Sequence, residues 1–233
     1  GHGESLGGTG IYCSESSPLV AYNEIVRNDS ELSAGGIYCS PTSSPYILGN
    51  RIFDNSAAMY GAGIYLTGDS SPVIARNVIV RNKAVLGGGG IYIAQGHPLI
   101  TNNTIVDNSD GIHNSAGVPI IYNCILWGNG DDLVEVSSMS LLTFCDIGDG
   151  DSAGFMGNIS QDPLFKDPYW DDYRLRPQSP CVDAAANILS NNARINSPPI
   201  YTIDDEAESA PLFRCQRLDM QRALGADEML DTD

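Results

Sequence analysis

Arg76, Arg81 and Lys83 form the nearest available group of cations in the chain. β-Elimination of a uronate needs a base and cationic groups, or Ca²⁺, to stabilise an enolate-like intermediate, and these three are the candidates for it. Glycoside hydrolysis needs two carboxylates about 5 to 9.5 Å apart, one of them with a raised pKa. Asp54 and Asp107 are the candidate pair, but Arg81 falls between them and is expected to hold both ionised, which leaves no acid. Tyr12, Tyr38, Tyr65, Tyr92 and His113 recur at matching positions, a row that either contacts a ligand such as a glycan or simply stacks on itself. Asp146, Asp149 and Asp151 lie in Cys-Asp-Ile-Gly-Asp-Gly-Asp, whose oxygen donors suit Ca²⁺. The same residues equally make an acidic surface turn, because the EF-hand spacing with its terminal Glu is missing. No other cofactor is implied.

The balance of charges narrows the partners. With 12 Lys+Arg against 29 Asp+Glu the formal net charge is −17, which repels phosphate backbones and anionic membranes. Nucleic acid is therefore not an expected partner. No apolar run approaches the roughly 18 residues of a membrane span, and the N-terminus lacks the basic-then-apolar layout of a signal peptide. The chain opens on Gly-His-Gly and reaches a complete repeat within a few residues, as expected if a targeting segment and earlier coils had been removed. The 6 cysteines (Cys13, Cys39, Cys124, Cys145, Cys181, Cys215) are an even number without the close spacing of a zinc ribbon or redox motif.

Repetition sets the elements that position these residues. Gly10-Ile11-Tyr12-Cys13 returns as Gly36-Ile37-Tyr38-Cys39, Gly63-Ile64-Tyr65-Leu66, Gly90-Ile91-Tyr92-Ile93 and, weakened, Gly111-Ile112-His113-Asn114. The Ile-to-Ile steps are 37 − 11 = 26, 64 − 37 = 27, 91 − 64 = 27 and 112 − 91 = 21. A second signature accompanies each step: a proline (Pro18, Pro45, Pro72, Pro98, Pro119), β-branched residues, then Asn-x-Ile-apolar and another Asn. Short β-rich segments separated by Gly, Ser-Pro and Asn turns, with no 3.6-residue pattern, make each unit one turn of a β-solenoid. Leucine-rich repeats have a similar period but a Leu scaffold that is absent here.

The repeats resemble the right-handed parallel β-helix family that includes pectate-lyase-like enzymes and many bacterial surface proteins. The expected fold is all-β, a right-handed parallel β-helix over residues 1–147 with an irregular C-terminal segment, 148–233, packed on its flank. Equivalent residues then stack about 4.8 Å apart. Ile11, Ile37, Ile64, Ile91 and Ile112 form one core column, Val20, Ile47, Ile74, Ile100 and Ile121 a second, and Ile25, Ile52, Ile79, Ile105 and Ile125 a third. Asn23, Asn50, Asn77, Asn103 and Asn123 form a bend column, as do Asn28, Asn55, Asn82, Asn108 and Asn129; stacked amides can donate one way and accept the other. Arg27, Asp54, Arg81 and Asp107 alternate in sign along an outward column, which reads as an ion ladder, and Glu24 faces Arg51. Val26, Phe53, Val80, Val106 and Leu126 are apolar at outward positions and need a cover, for which residues 160–229 are the candidate. Cys13 pairs in register with Cys39, and Cys124 with Cys145, as buried thiols, whereas Cys181 and Cys215 are the disulfide candidate.

After Asp146 the repeat dissolves. Asp162-Pro163-Leu164-Phe165-Lys166-Asp167-Pro168 and Asp172-Tyr173-Arg174-Leu175-Arg176-Pro177-Gln178-Ser179-Pro180-Cys181-Val182-Asp183 resemble the tail of the bacterial surface β-helix proteins called choice-of-anchor Q, well over residues 158 to 185. The resemblance departs towards the end, where Leu218-Asp219-Met220 is split from Gly225-Ala226-Asp227-Glu228. It implies secretion and surface display and no shared catalytic residues. The functional expectation is an extracellular or cell-surface scaffold, or a module binding polysaccharide; the alternative is a polysaccharide lyase or glycoside hydrolase. Fold alone does not choose between them.

Overall fold

The computed structural model describes residues 10–182, 184 and 185. They fall into two compact units divided between Pro163 and Leu164. The first is a stack of coils in which three parallel sheets of six strands each run the length of the stack. The first sheet opens with Ile11–Cys13, the second with Leu19–Ala21 and the third with Glu24–Val26. A shorter fourth sheet joins Asp29–Ser30, Ser56–Ala57 and Lys83–Ala84. This is the all-β solenoid that the periodicity predicts.

Register follows the columns. Ile11 pairs with Ile37, Ile47 with Ile74, and Ile52 with Ile79, so that like residues stack on like. The core-column isoleucine of each strand in the three long sheets is fully buried from the second coil to the fourth, and each is worth roughly 1.5–3 kcal/mol of transfer free energy. Glycine opens the first-sheet strands for a steric reason. A Cβ at Gly36, Gly63 or Gly90 would lie 2.4–2.5 Å from the carbonyl oxygen of the glycine one coil on. No other residue lets successive coils approach so closely.

In each of the first five coils the chain leaves the second sheet, and again the third, through one residue in the left-handed region. At the second of these bends Arg27, Asp54, Arg81 and Asp107 have φ of 53 to 56°. The residue that follows each bend points inward and carries the amide ladder. Asn77 Oδ1 accepts from the Asn50 backbone N–H (2.8 Å) and Nδ2 (3.0 Å), while Asn77 Nδ2 donates to the Ile47 carbonyl (2.9 Å) and to Asn103 Oδ1 (3.0 Å). The same pattern runs from Asn28 through Asn55, Asn82 and Asn108 to Asn129.

Three columns slip by one residue at the fifth coil. Thr104 pairs with Ile125 and Ile105 with Leu126, so Leu126, not Ile125, completes the third core column, and Trp127 rather than Leu126 lies beyond Val106. Asn123 occupies the left-handed bend (φ 54°) beside Asn102 (φ 54°), a conformation asparagine tolerates, and Cys124 takes the ladder position instead. That ladder continues through Cys145, whose backbone N–H donates to Asn158 Oδ1 (2.9 Å), and Asn158 Nδ2 donates back to Leu142 O (3.1 Å). Ile159 bridges to Asp146, so a short seventh turn follows the sixth.

The outward apolar row is mostly shielded, with Val80 and Val106 buried and Val26 and Phe53 half-buried. Most of the segment proposed to cover it lies outside the described residues, as does Cys215 of the candidate disulfide. The second unit contains an antiparallel pair, Phe165–Asp167 with Asp172–Leu175, joined by the single 3₁₀ turn Pro168–Trp170. Phe165 and Tyr173 pack edge-to-face inside it at 5.4 Å, whereas Tyr169 and Trp170 are exposed.

If the ladder holds the coils together, Asn77→Ala should cost at least about 3 kcal/mol, because it strands two donors of Asn50 and the Ile47 carbonyl at about 1–3 kcal/mol each. Asn23→Ala, at an exposed position, should cost less than half as much. Denaturant melts of the two variants decide this, and equal costs would show that burial does not set the strength of the ladder.

Candidate functional site

The sequence-derived cations do not converge. Arg76 and Arg81 stand at the two bends flanking Val78–Val80, five residues apart, or about 16 Å of extended chain. Lys83 is exposed on the fourth sheet. A strand's length therefore separates the backbone of Arg76 from that of Arg81 and Lys83.

The carboxylate pair behaves unequally. Arg81 Nε lies 2.9 Å from Asp54 Oδ1, and Nη2 reaches Oδ2 at 3.5 Å, so Arg81 engages Asp54 side-on. Asp107, on the other side of Arg81, is exposed at its surface, and desolvation by the surrounding protein raises its pKa against the opposing pull of Arg81. Arg81 thus favours the ionised form of both carboxylates, against a desolvation that acts on Asp107. Two coil steps put Asp54 and Asp107 about 9.6 Å apart, near the upper limit for an inverting hydrolase. The arginine, however, occupies the space where a sugar would sit.

The tyrosine row is in register, Tyr12 with Tyr38, Tyr65, Tyr92 and then His113, and Val134 follows. Neighbouring rings lie 4.9, 5.4, 5.4 and 4.9 Å apart, so each ring face is taken by the next ring. The row is also less exposed than strand alternation predicts. Tyr38 and Tyr92 are only 8% exposed, and Tyr60 covers Tyr92 at 4.5 Å. Glycine-rich turns fold onto it, since a Cβ at Gly61 or Gly88 would strike the Cβ of Tyr65 or Tyr92 at 2.6–2.7 Å. Burial raises the pKa of Tyr38 and Tyr65, which keeps the phenols neutral. His113 ends the stack with Nδ1 3.8 Å from Asp110 Oδ2.

The open face lies elsewhere, on the second sheet. Its outward positions are Leu19 and Ala21, Tyr46 and Leu48, Val73 and Ala75, Leu99 and Thr101, Ile120 and Tyr122, and Leu141 and Thr143. None carries a charge, in a chain whose net charge is −17. Leu19, Tyr46, Ile120 and Leu141 are exposed. At its margin the Tyr22 ring rests on Gly49, where an added Cβ would lie 2.7 Å from Cε1, and is itself 60% exposed. The signal for this row was in the sequence: each of Leu19, Tyr46, Val73, Leu99 and Ile120 directly follows the repeat proline.

The acidic group differs in membership. Asp149 and Asp151 gather with Asp131, one carboxylate oxygen from each lying within 4.8 Å of the others. Asp146 is buried apart from them and accepts from the Gln161 backbone N–H at 3.0 Å. Asp131 escaped the motif because it comes from the preceding coil. Next to it Asp132 is buried and ends the second amide ladder, its Oδ1 accepting from Asn129 N (3.1 Å) and Nδ2 (2.7 Å). The Asp131, Asp149 and Asp151 trio offers only hard oxygen donors, the type that Ca²⁺ accepts.

Asp151 has a raised pKa, from partial burial first and then from Asp149, Asp131 and Glu135. A carboxyl whose folded pKa is raised holds its proton more tightly when folded, so its contribution falls as pH climbs from the unfolded value near 3.9 through the folded one. Asp151→Asn should therefore stabilise the fold at neutral pH by less than about 1 kcal/mol, the side chain being exposed, and the gain should vanish below about pH 4. Thermal melts across pH test this. Added Ca²⁺ that raises the wild-type midpoint more than the variant's would identify the trio as a cation site.

Comparison with known families gives one match: residues 4–126 fit the model described as the right handed beta helix region. No curated protein and no solved structure matches the chain.

Proposed function

The chain belongs to the right-handed β-helix family, and on that premise we propose that it is a non-catalytic scaffold, displayed outside the cell, that binds a neutral polysaccharide along its second sheet. The observation carrying this is the uncharged row from Leu19 to Leu141, repeated at every coil, exposed at Leu19, Tyr46, Ile120 and Leu141 and half-buried at Val73 and Leu99, in a strongly acidic chain. Apolar side chains at a regular rise of about 4.8 Å suit the apolar faces of successive sugar rings. Tyr22, braced against Gly49, adds a ring with a free face, which the stacked tyrosine row lacks. The net charge opposes polyuronates, so the ligand is an uncharged glycan. Surface display rests on the resemblance of residues 158–185 to the choice-of-anchor Q tail.

Retention on insoluble cellulose, chitin and β-glucan tests the reading. Tyr22→Ala and Tyr46→Ala should each weaken retention roughly three- to tenfold, since one aromatic contact is worth about 0.5–1.5 kcal/mol. Tyr65→Ala should lower the melting temperature and leave retention unchanged. No retention of the wild type on any of the three, or retention indifferent to the first two changes, would remove the glycan from the proposal. A hydrolase reading has one observation in its favour, the unequal Asp54 and Asp107 pair. Release of reducing sugar that Asp107→Asn abolishes would replace the scaffold with an enzyme.

A further inference from the structure

We propose that Cys124 and Cys145 form a two-coordinate site for a soft monovalent d¹⁰ cation of the Cu(I) or Ag(I) class, held linearly between two thiolates in the amide ladder. The argument begins with position. Ile125 pairs with Asp146, which sets Cys124 opposite Cys145 on adjoining coils. Cys124 Sγ lies 3.4 Å from Tyr122 O and 3.7 Å from Ile100 O, and Cys145 Sγ lies 3.4 Å from Thr143 O and 3.9 Å from Ile121 O. Tyr122 pairs with Thr143 and Ile100 with Ile121, so the two sulfurs occupy the same place in successive coils. Their separation is therefore the coil rise, about 4.8 Å.

That spacing selects the chemistry. A disulfide needs sulfurs about 2.05 Å apart and Cβ atoms about 3.5–4.5 Å apart, which parallel in-register cysteines do not supply. Two metal–sulfur bonds of about 2.3 Å laid end to end span about 4.6 Å, close to the coil rise. A tetrahedral Zn²⁺ needs four donors, and here two sulfurs face each other with only the Asn103 and Asn158 amides next along the ladder. Soft thiolates prefer Cu(I) and its congeners.

The ladder also prepares the sulfurs for negative charge. Asn103 Nδ2 points at Cys124 Sγ from 3.9 Å, in the role it would play towards an asparagine oxygen. Burial pushes the Cys124 thiol up, but hydrogen bonding from Cys145 and from the amides of Asn103 and Asn102 outweighs it; Cys145 is pushed up by burial and by Cys124. Binding replaces both thiol protons: two neutral thiols and one M⁺ give a linear bis-thiolate of charge −1 and release two protons, with no change of oxidation state. Cys13 and Cys39 are also in register, at strand ends outside the asparagine columns.

The test uses Ag(I) as the probe. In a protein with Cys13, Cys39, Cys181 and Cys215 changed to Ser, titration should give one equivalent of bound silver, thiolate-to-metal absorbance in the ultraviolet and release of two protons. Adding Cys124→Asn and Cys145→Asn restores the amide ladder and should abolish all three signals while the fold is kept. No stoichiometric binding before that change, or the same binding after it, overturns the proposal. Should the four-serine protein fail to fold, Cys124→Asn with Cys145→Asn in the otherwise native chain should bind one equivalent fewer than wild type, and equal stoichiometry would overturn it.

Discussion

Each of the first five coils turns twice through a left-handed residue, and each such turn leaves backbone amides facing a core with no water to receive them. Everything else in the stack depends on how those amides are satisfied. Buried donors without partners cost about 1–3 kcal/mol each, and non-glycine residues in the left-handed region add strain of similar size. The asparagine after each bend resolves the first problem by accepting from the coil before and donating to the coil after. Its position then dictates which residue can stand at the bend, which faces inward, and which is free to vary. Arg27, Asp54, Arg81 and Asp107 all tolerate the bend because their side chains leave the fold there. The outward chemistry of this chain is thus written on positions that the ladder does not use.

This division explains what could be read from the sequence. Period, sheet order and the inward columns were legible because steps of 26 and 27 residues repeat the same constraints. The one-residue slip at the fifth coil was not. Asn102 and Asn103 are adjacent, and sequence alone does not say which of them matches Asn123; the hydrogen bond from Asn103 to Cys124 does. The cover on the tyrosine row was equally hidden, because strand alternation gives direction only, while Gly61 and Gly88 decide what folds on top. Clusters assembled across coils, such as Asp131 with Asp149 and Asp151, have no spacing to find. The exposed second-sheet row was available as the residue after each proline, yet it carries no polar signature and so reads as core.

The two ladders end differently, and the ends matter in a stack where each coil touches only its neighbours. An amide ladder has a direction, since each Asn donates forward to the next oxygen. Asp132 receives the last side-chain amide donation of the second ladder, and because an ionised carboxylate only accepts, it passes on its backbone N–H alone, to Asp149 Oδ2. Its buried charge is raised in pKa by that burial and eased by the Asn129 donors. The first ladder instead runs through two thiols, whose weak S–H donors replace strong amide ones, before Asn158 restores an oxygen acceptor. The closing coils are therefore held less tightly than the second to fourth, and local opening of the stack should begin there.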